Sequence, residues 1–177
     1  MVEEEYERPM TSPDLQHRVE QFLYREVRML AEGHYEEWLD LFTENTRYLM
    51  PIRETTATRE ESERGEEFLP HVDDDKDFMR ARVQRLRHRL AHSEQPPSRL
   101  RYFITNIEVE DAEGGEKNDL DVRCNLLVYQ SRLERTEKIF VGRREDLLRP
   151  EKDSFLIVSR TVVLDQSLLP RSITIFF

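Results

Sequence analysis

From Leu120 to Gln130 the chain reads L-D-V-R-C-N-L-L-V-Y-Q, with Leu120, Val122, Cys124, Leu126 and Val128 on one parity. Asp121, Arg123 and Asn125 fall on the other. Strict alternation marks a strand with one buried face. Eleven such residues span roughly 35 Å, about twice the usual strand. Twist accumulates along a strand that long, so its sheet must curl and something must fill the concave side.

Helical spacing dominates the amino-terminal part. Ser12, Pro13 and Asp14 form a helix start: a capping hydroxyl, a proline at the first position and a carboxylate facing the dipole. Leu15, Val19, Phe22, Leu23, Val27 and Leu30 recur at helical spacing until Gly33, a residue suited to a left-handed cap. Tyr35, Trp38, Leu39 and Phe42 continue as a second, short helix. Thr46 to Ile52 reads as a short strand ending at Pro51. A charged, aperiodic excursion from Arg53 to Glu67 precedes a third helix from about Asp75 to His92. Met79, Val83, Leu86 and Leu90 form its inward face.

The remainder reads as strand: Leu100–Glu110, a turn at Glu113–Glu116, the central strand, then Thr136–Arg144 with Gly142 as a bulge candidate. Ser154–Asp165 and a tail strand, Ile173–Phe177, come last. Helices first and antiparallel strands after is the α+β pattern. The expected fold is a strongly curved antiparallel sheet wrapped around the N-terminal helices, a cone-shaped half-barrel. Residues 1–177 are expected to form one domain, with 1–11 a mobile, glutamate-rich arm.

Composition narrows the function. Charged residues make up 36% of the chain and the net charge is −10, which argues against nucleic acid or an anionic membrane as partner. No apolar run approaches the roughly 20 residues needed to cross a bilayer, so a soluble cytoplasmic protein is expected. Cys124 is the sole cysteine. A disulfide, a cysteine-ligated zinc site or an iron–sulfur cluster within this chain alone is thereby excluded. Arginine outnumbers lysine 23 to 4; arginine–carboxylate pairs at subunit contacts and a GC-rich coding sequence explain that equally well.

Motifs of catalysis are sparse. Asp73, Asp75 and Asp77 match the first ligands of a calcium loop, but Phe78 and Gln84 stand where glycine and glutamate are needed. Carboxylates ahead of a helix suit its positive end instead. His88 and His92 have zincin spacing, yet Arg89 replaces the glutamate base. There is no nucleophile elbow, phosphate loop or dinucleotide fingerprint. His34, just after Gly33, is the best histidine for acid–base work in the mouth of a cone.

Eight short stretches carry a resemblance in order. They are Glu20–Glu26, Tyr35–Leu41, Arg47–Arg53, Arg82–Leu86, Pro97–Arg99, Thr105–Ile107, Gly142–Leu148 and Arg160–Gln166. Together they resemble the small (beta) subunit of aromatic-ring-hydroxylating dioxygenases, the Rieske non-haem iron oxygenases. Phe68–Asp77 and the ending Ile175-Phe176-Phe177 are most similar to the toluene/biphenyl branch. Phe155 departs from the family by standing where many relatives carry tryptophan.

The resemblance implies a fold like nuclear transport factor 2 (cystatin-like) and a structural, non-catalytic role with no cofactor, metal or catalytic residue in this chain. A large (alpha) subunit would carry the Rieske [2Fe-2S] cluster, the mononuclear Fe(II) and the pocket for a biphenyl- or toluene-type ring. Three of each subunit would assemble into a hetero-hexamer, with beta–beta contacts as well. Interface candidates are Trp38, Tyr48, Arg82, Arg99, Arg143, Arg144 and Arg160, since aromatic and arginine anchors dominate such contacts. Buried ion pairs within one subunit would give the same sequence signature. A stand-alone dehydratase or isomerase using the cone cavity is the alternative, and a small-ligand binding module a third reading.

Overall fold

A computed structural model describes residues 11–52, 70–87, 97–114, 118–133, 136–166 and 173–177. Most of the arm, the excursion from Arg53 to Glu67, and the pair His88 and His92 lie outside these residues.

Helix α1 spans Pro13–Glu32, and the Ser12 side chain accepts from the Leu15 N–H. Gly33 closes it with φ of 78°, where its N–H reaches the last turn, a conformation that costs a glycine nothing sterically. The buried face is Val19, Phe22, Leu23, Val27 and Leu30, with one ionisable residue, Glu26, among them. Helix α2, Tyr35–Leu39, buries Trp38 and Leu39. Helix α3 runs Lys76–Arg87, and its N-terminus is capped by Asp75, which accepts from the Phe78 N–H at 2.9 Å. The carboxylate run therefore does serve as a cap, as its position ahead of the helix suggests.

Six strands follow: β1 Phe42–Met50, β2 Val72–Asp74, β3 Arg99–Asp111, β4 Leu120–Arg132, β5 Thr136–Glu151 and β6 Ser154–Leu164. They form one unclosed sheet in the order β2-β1-β6-β5-β4-β3. Pairing is antiparallel except between β1 and β6, which run parallel. This corrects the purely antiparallel expectation: the two strands are far apart in sequence, so no hairpin fixes their relative direction. The short β2 had no sequence signal, because its three residues are held through main-chain pairing with Tyr48–Met50.

Alternation in the central strand places Leu120, Val122, Cys124, Leu126 and Val128 on the buried face. Against that face pack α1 and α2, and the core is continuous from Val19 to Phe177. The sheet bends at a break in register between Thr105 and Glu108, where Asn106 has φ of 53°. That bulge was not foreseen, whereas the one expected at Gly142 is absent from the register there. Gly142 instead permits close approach: a Cβ at this position would lie 2.2 Å from the Val163 carbonyl oxygen.

Residues 173–177 do not pair as a strand; the tail turns inward and buries Ile175, Phe176 and Phe177. Phe176 sits 4.6 Å from Trp38 between ring centroids, and Phe177 meets Phe140 edge-on at 5.2 Å. Phe155 packs edge-on against Phe22 at 5.6 Å, an aromatic core residue.

Candidate functional site

Four charged side chains meet in the interior. Glu26 projects from the apolar face of α1, while Arg144 and Asp146 share the inward parity of β5 with Phe140 and Leu148. Arg160 on β6 lies directly across from Asp146 in the register. Arg144, Arg160 and Glu26 are 0% exposed and Asp146 4%.

Arg160 grips Asp146 with both prongs of its guanidinium, Nε to Oδ1 at 2.7 Å and Nη2 to Oδ2 at 2.8 Å. Its Nη1 donates to Glu26 Oε1 at 2.7 Å and to the Phe177 main-chain oxygen at 3.1 Å. Arg144 Nη1 donates to Glu26 Oε2 at 3.0 Å, and its Nε lies 3.3 Å from Asp146 Oδ2. The Trp38 indole N–H completes the set, donating to Glu26 Oε1 at 2.6 Å. The four side chains balance two cations against two anions, the arrangement in which buried charge is tolerated.

Electrostatics follow from that arrangement. Burial opposes the Glu26 negative charge, yet the charges of Arg144 and Arg160 and the bonds from Arg160 and Trp38 outweigh it and hold the carboxyl below its usual range. Burial likewise opposes both arginines, but the carboxylates raise them further above their ordinary value. A general acid or base needs a pKa near the working pH and access to substrate. Glu26 has neither.

The tail completes the enclosure. The Phe177 N–H donates to Tyr48 Oη at 2.9 Å, and that hydroxyl donates back to the Phe177 oxygen at 3.2 Å. Tyr102 Oη donates to the Phe176 oxygen at 2.7 Å. Arg82 pairs with Asp74 at 2.8 Å and lies over the Phe176 ring at 4.6 Å. Ile175, Phe176 and Phe177 thus pack into the core on the inner side of the sheet.

These positions sort the interface candidates. Trp38, Tyr48, Arg144 and Arg160 are each 0% exposed and bond within the subunit. Tyr48, Arg144 and Arg160 sit on inward-facing strand positions, and Trp38 on the buried side of α2. Arg82 is partly covered at the rim. Arg143 pairs with Glu145 on the outer face, and Arg99 is exposed at the start of β3.

His34, at the N-terminus of α2, is exposed, and so are His17 and His71. Among the described residues, no three His, Cys, Asp or Glu side chains converge as a metal site. Two aspartates of the candidate calcium loop are held by arginine, Asp73 by Arg47 and Asp77 by Arg80, and the third, Asp75, caps α3. Cys124 is buried, and burial pushes its thiol pKa up. A lone thiol so placed does not fit the paired thiolates that an iron–sulfur cluster requires.

Residues 25–171 match the profile described as the ring hydroxylating beta subunit. The chain belongs to that family. This beta subunit is 37% identical over 170 residues to the biphenyl 2,3-dioxygenase subunit beta of Rhodococcus jostii (strain RHA1), covering 93% of this chain and 90% of the relative. It is also 37% identical over 171 residues to a benzene 1,2-dioxygenase subunit beta of Pseudomonas putida (strain F1), covering 94% and 90%. Among solved structures, naphthalene 1,2-dioxygenase with indole bound shares the fold at a TM-score of 0.81 and 21% identity, over 94% of this chain and 88% of that one. A structure named for scytalone dehydratase, from Novosphingobium aromaticivorans, shares it at 0.63 and 14%, over 90% and 91%. The α+β cone of the nuclear transport factor 2 type is therefore the fold of this beta subunit, which serves a multicomponent ring-hydroxylating dioxygenase with an alpha subunit as partner.

Proposed function

We propose that this beta subunit is a structural component without a reaction centre of its own, which organises large subunits in a three-plus-three assembly. The observation that carries the reading is the packed interior of the described fold, where Phe176, Phe177 and the Glu26–Arg144–Asp146–Arg160 cluster are buried away from any substrate. The large subunit would then hold the Rieske [2Fe-2S] cluster, the mononuclear Fe(II) and the substrate. The names of the biphenyl and benzene relatives support a substrate of that type, hydroxylated to a cis-dihydrodiol. A cytoplasmic setting is consistent with the lack, among the described residues, of any helix long and apolar enough to cross a membrane.

The subunit purified alone is expected to be colourless, free of stoichiometric iron and inactive on benzene or biphenyl. Bound iron at one equivalent, or turnover without a large subunit, would overturn the proposal.

A further inference from the structure

β3 is one edge of the sheet, and among the described residues no strand pairs with its outer side. An edge of this length is a template for an added strand unless something covers it. Beside it runs a groove of about 670 Å³, walled by Tyr24, Arg28 and Glu32 of α1 and by Arg101 and Phe103 of β3. Gln16 reaches from α1 to the Ile107 carbonyl at 2.9 Å, which fixes the helix over the strand and keeps the groove formed.

Phe103 of the groove also belongs to the outer face of the sheet. Phe103 pairs with Leu127 and Leu127 with Val141 in the strand register, so the three form one row across β3, β4 and β5. Phe103 is 53% exposed and Val141 38%, and Ile139, two residues along β5, is 57% exposed. An apolar row open to water that runs into a preformed groove is the signature of an interaction surface.

Charge identifies the occupant. The whole chain carries −10, yet Glu32 is the one carboxylate among the groove's lining residues, against Arg28 and Arg101, with Arg99 exposed next along the strand. The incoming segment is therefore extended, apolar and acidic. A second copy of this chain fits poorly: an isologous contact would set Arg28 and Arg101 against their own equivalents and bring two α1 walls together.

We infer that the α1–β3 groove and the Phe103–Leu127–Val141 row receive an acidic, apolar segment of the large oxygenase subunit. This rests on the beta-subunit reading and names the surface that reading requires. Main-chain bonds along β3 supply affinity, Phe103 is the buried anchor, and Arg28 and Arg101 set register.

The test is co-expression of the full chain with the large dioxygenase subunit of its own genome, followed by affinity and light-scattering measurements. Phe103→Asp is expected to weaken binding of the large subunit by about 30-fold or more. Arg101→Glu is expected to weaken it as well, and to flatten its salt dependence. Phe78→Asp, at a residue 64% exposed on α3, is expected to bind as the parent does. Circular dichroism of each variant checks folding, and Arg101→Glu stands in should Phe103→Asp fold poorly. Normal assembly by the Phe103 and Arg101 variants, or equal loss with Phe78→Asp, would overturn the inference while leaving the beta-subunit reading intact. So would loss of self-association alone, which would make a second copy the occupant. If the parent chain itself bound no large subunit, the underlying reading would fall with it.

Discussion

Replacing Glu26 with glutamine tests the charged centre most sharply. The substitution keeps the shape of the side chain and removes one negative charge from a site with no exposure. Three donors lose a charged acceptor: Trp38 Nε1 at 2.6 Å, Arg160 Nη1 at 2.7 Å and Arg144 Nη1 at 3.0 Å. Arg160 retains its two-pronged hold on Asp146. Arg144 keeps only the 3.3 Å approach to that same carboxylate. The four side chains are left with one uncompensated positive charge in a low-dielectric interior, and breaking a buried pair in this way costs about 3–5 kcal/mol. For a domain of this size the loss corresponds to a fall of about 10 °C in melting temperature.

Urea titration of parent and variant supplies the assay, with Asp73→Asn as the surface comparison. Asp73 also bonds an arginine, at 2.7 Å, but both partners are largely exposed, so its loss should cost less than about 1 kcal/mol. The pH dependence gives a second handle. Because folding holds the Glu26 carboxyl below its ordinary value, its contribution is present above the usual glutamate range. That contribution is lost as pH falls through the lower folded value. The gap between parent and Glu26→Gln should therefore narrow in acid. A penalty below about 1 kcal/mol at pH 7, or a gap that widens as pH falls, would refute the account of the cluster.

Three further outcomes follow from other parts of the molecule. Glu26→Gln combined with Arg144→Met restores neutrality, so the pair should cost at least about 2 kcal/mol less than the sum of its single changes in a denaturation cycle. Gly142→Ala drives a Cβ to 2.2 Å from the Val163 oxygen, and main-chain atoms cannot swing aside; about 3 kcal/mol of lost stability is expected by thermal melting. Burial raises the Cys124 thiol, so a thiol reagent should label it in urea and leave it unmodified in the folded protein at pH 7.5.

Sequence pattern carried the element order well, for reasons visible in single residues. Ser12, Gly33 and the β4 alternation are local signals whose physics does not depend on the rest of the chain. Glu26 and Asp146 went unrecognised, although each interrupts an apolar pattern at a detectable place. Glu26 lies one turn from Phe22 and one from Leu30, and Asp146 shares a parity with Phe140 and Leu148. Nothing local says that Arg144 of β5 and Arg160 of β6 arrive beside Glu26 of α1. The parallel β1–β6 pair, the three-residue β2 and the inward turn of the tail are long-range outcomes of the same kind. Tyr48, Arg144 and Arg160 have the residue types of surface anchors, yet strand parity places them inside, and Trp38 lies on the buried side of α2.

The central claim is that this polypeptide acts by joining other chains. Native mass spectrometry on the co-expressed subunits, with iron assayed in each separated chain, tests it most directly. The account predicts one hetero-hexameric mass and iron in the large subunit only. A beta chain that stays apart from the large subunit, or that itself retains iron at stoichiometric level after separation, would contradict it.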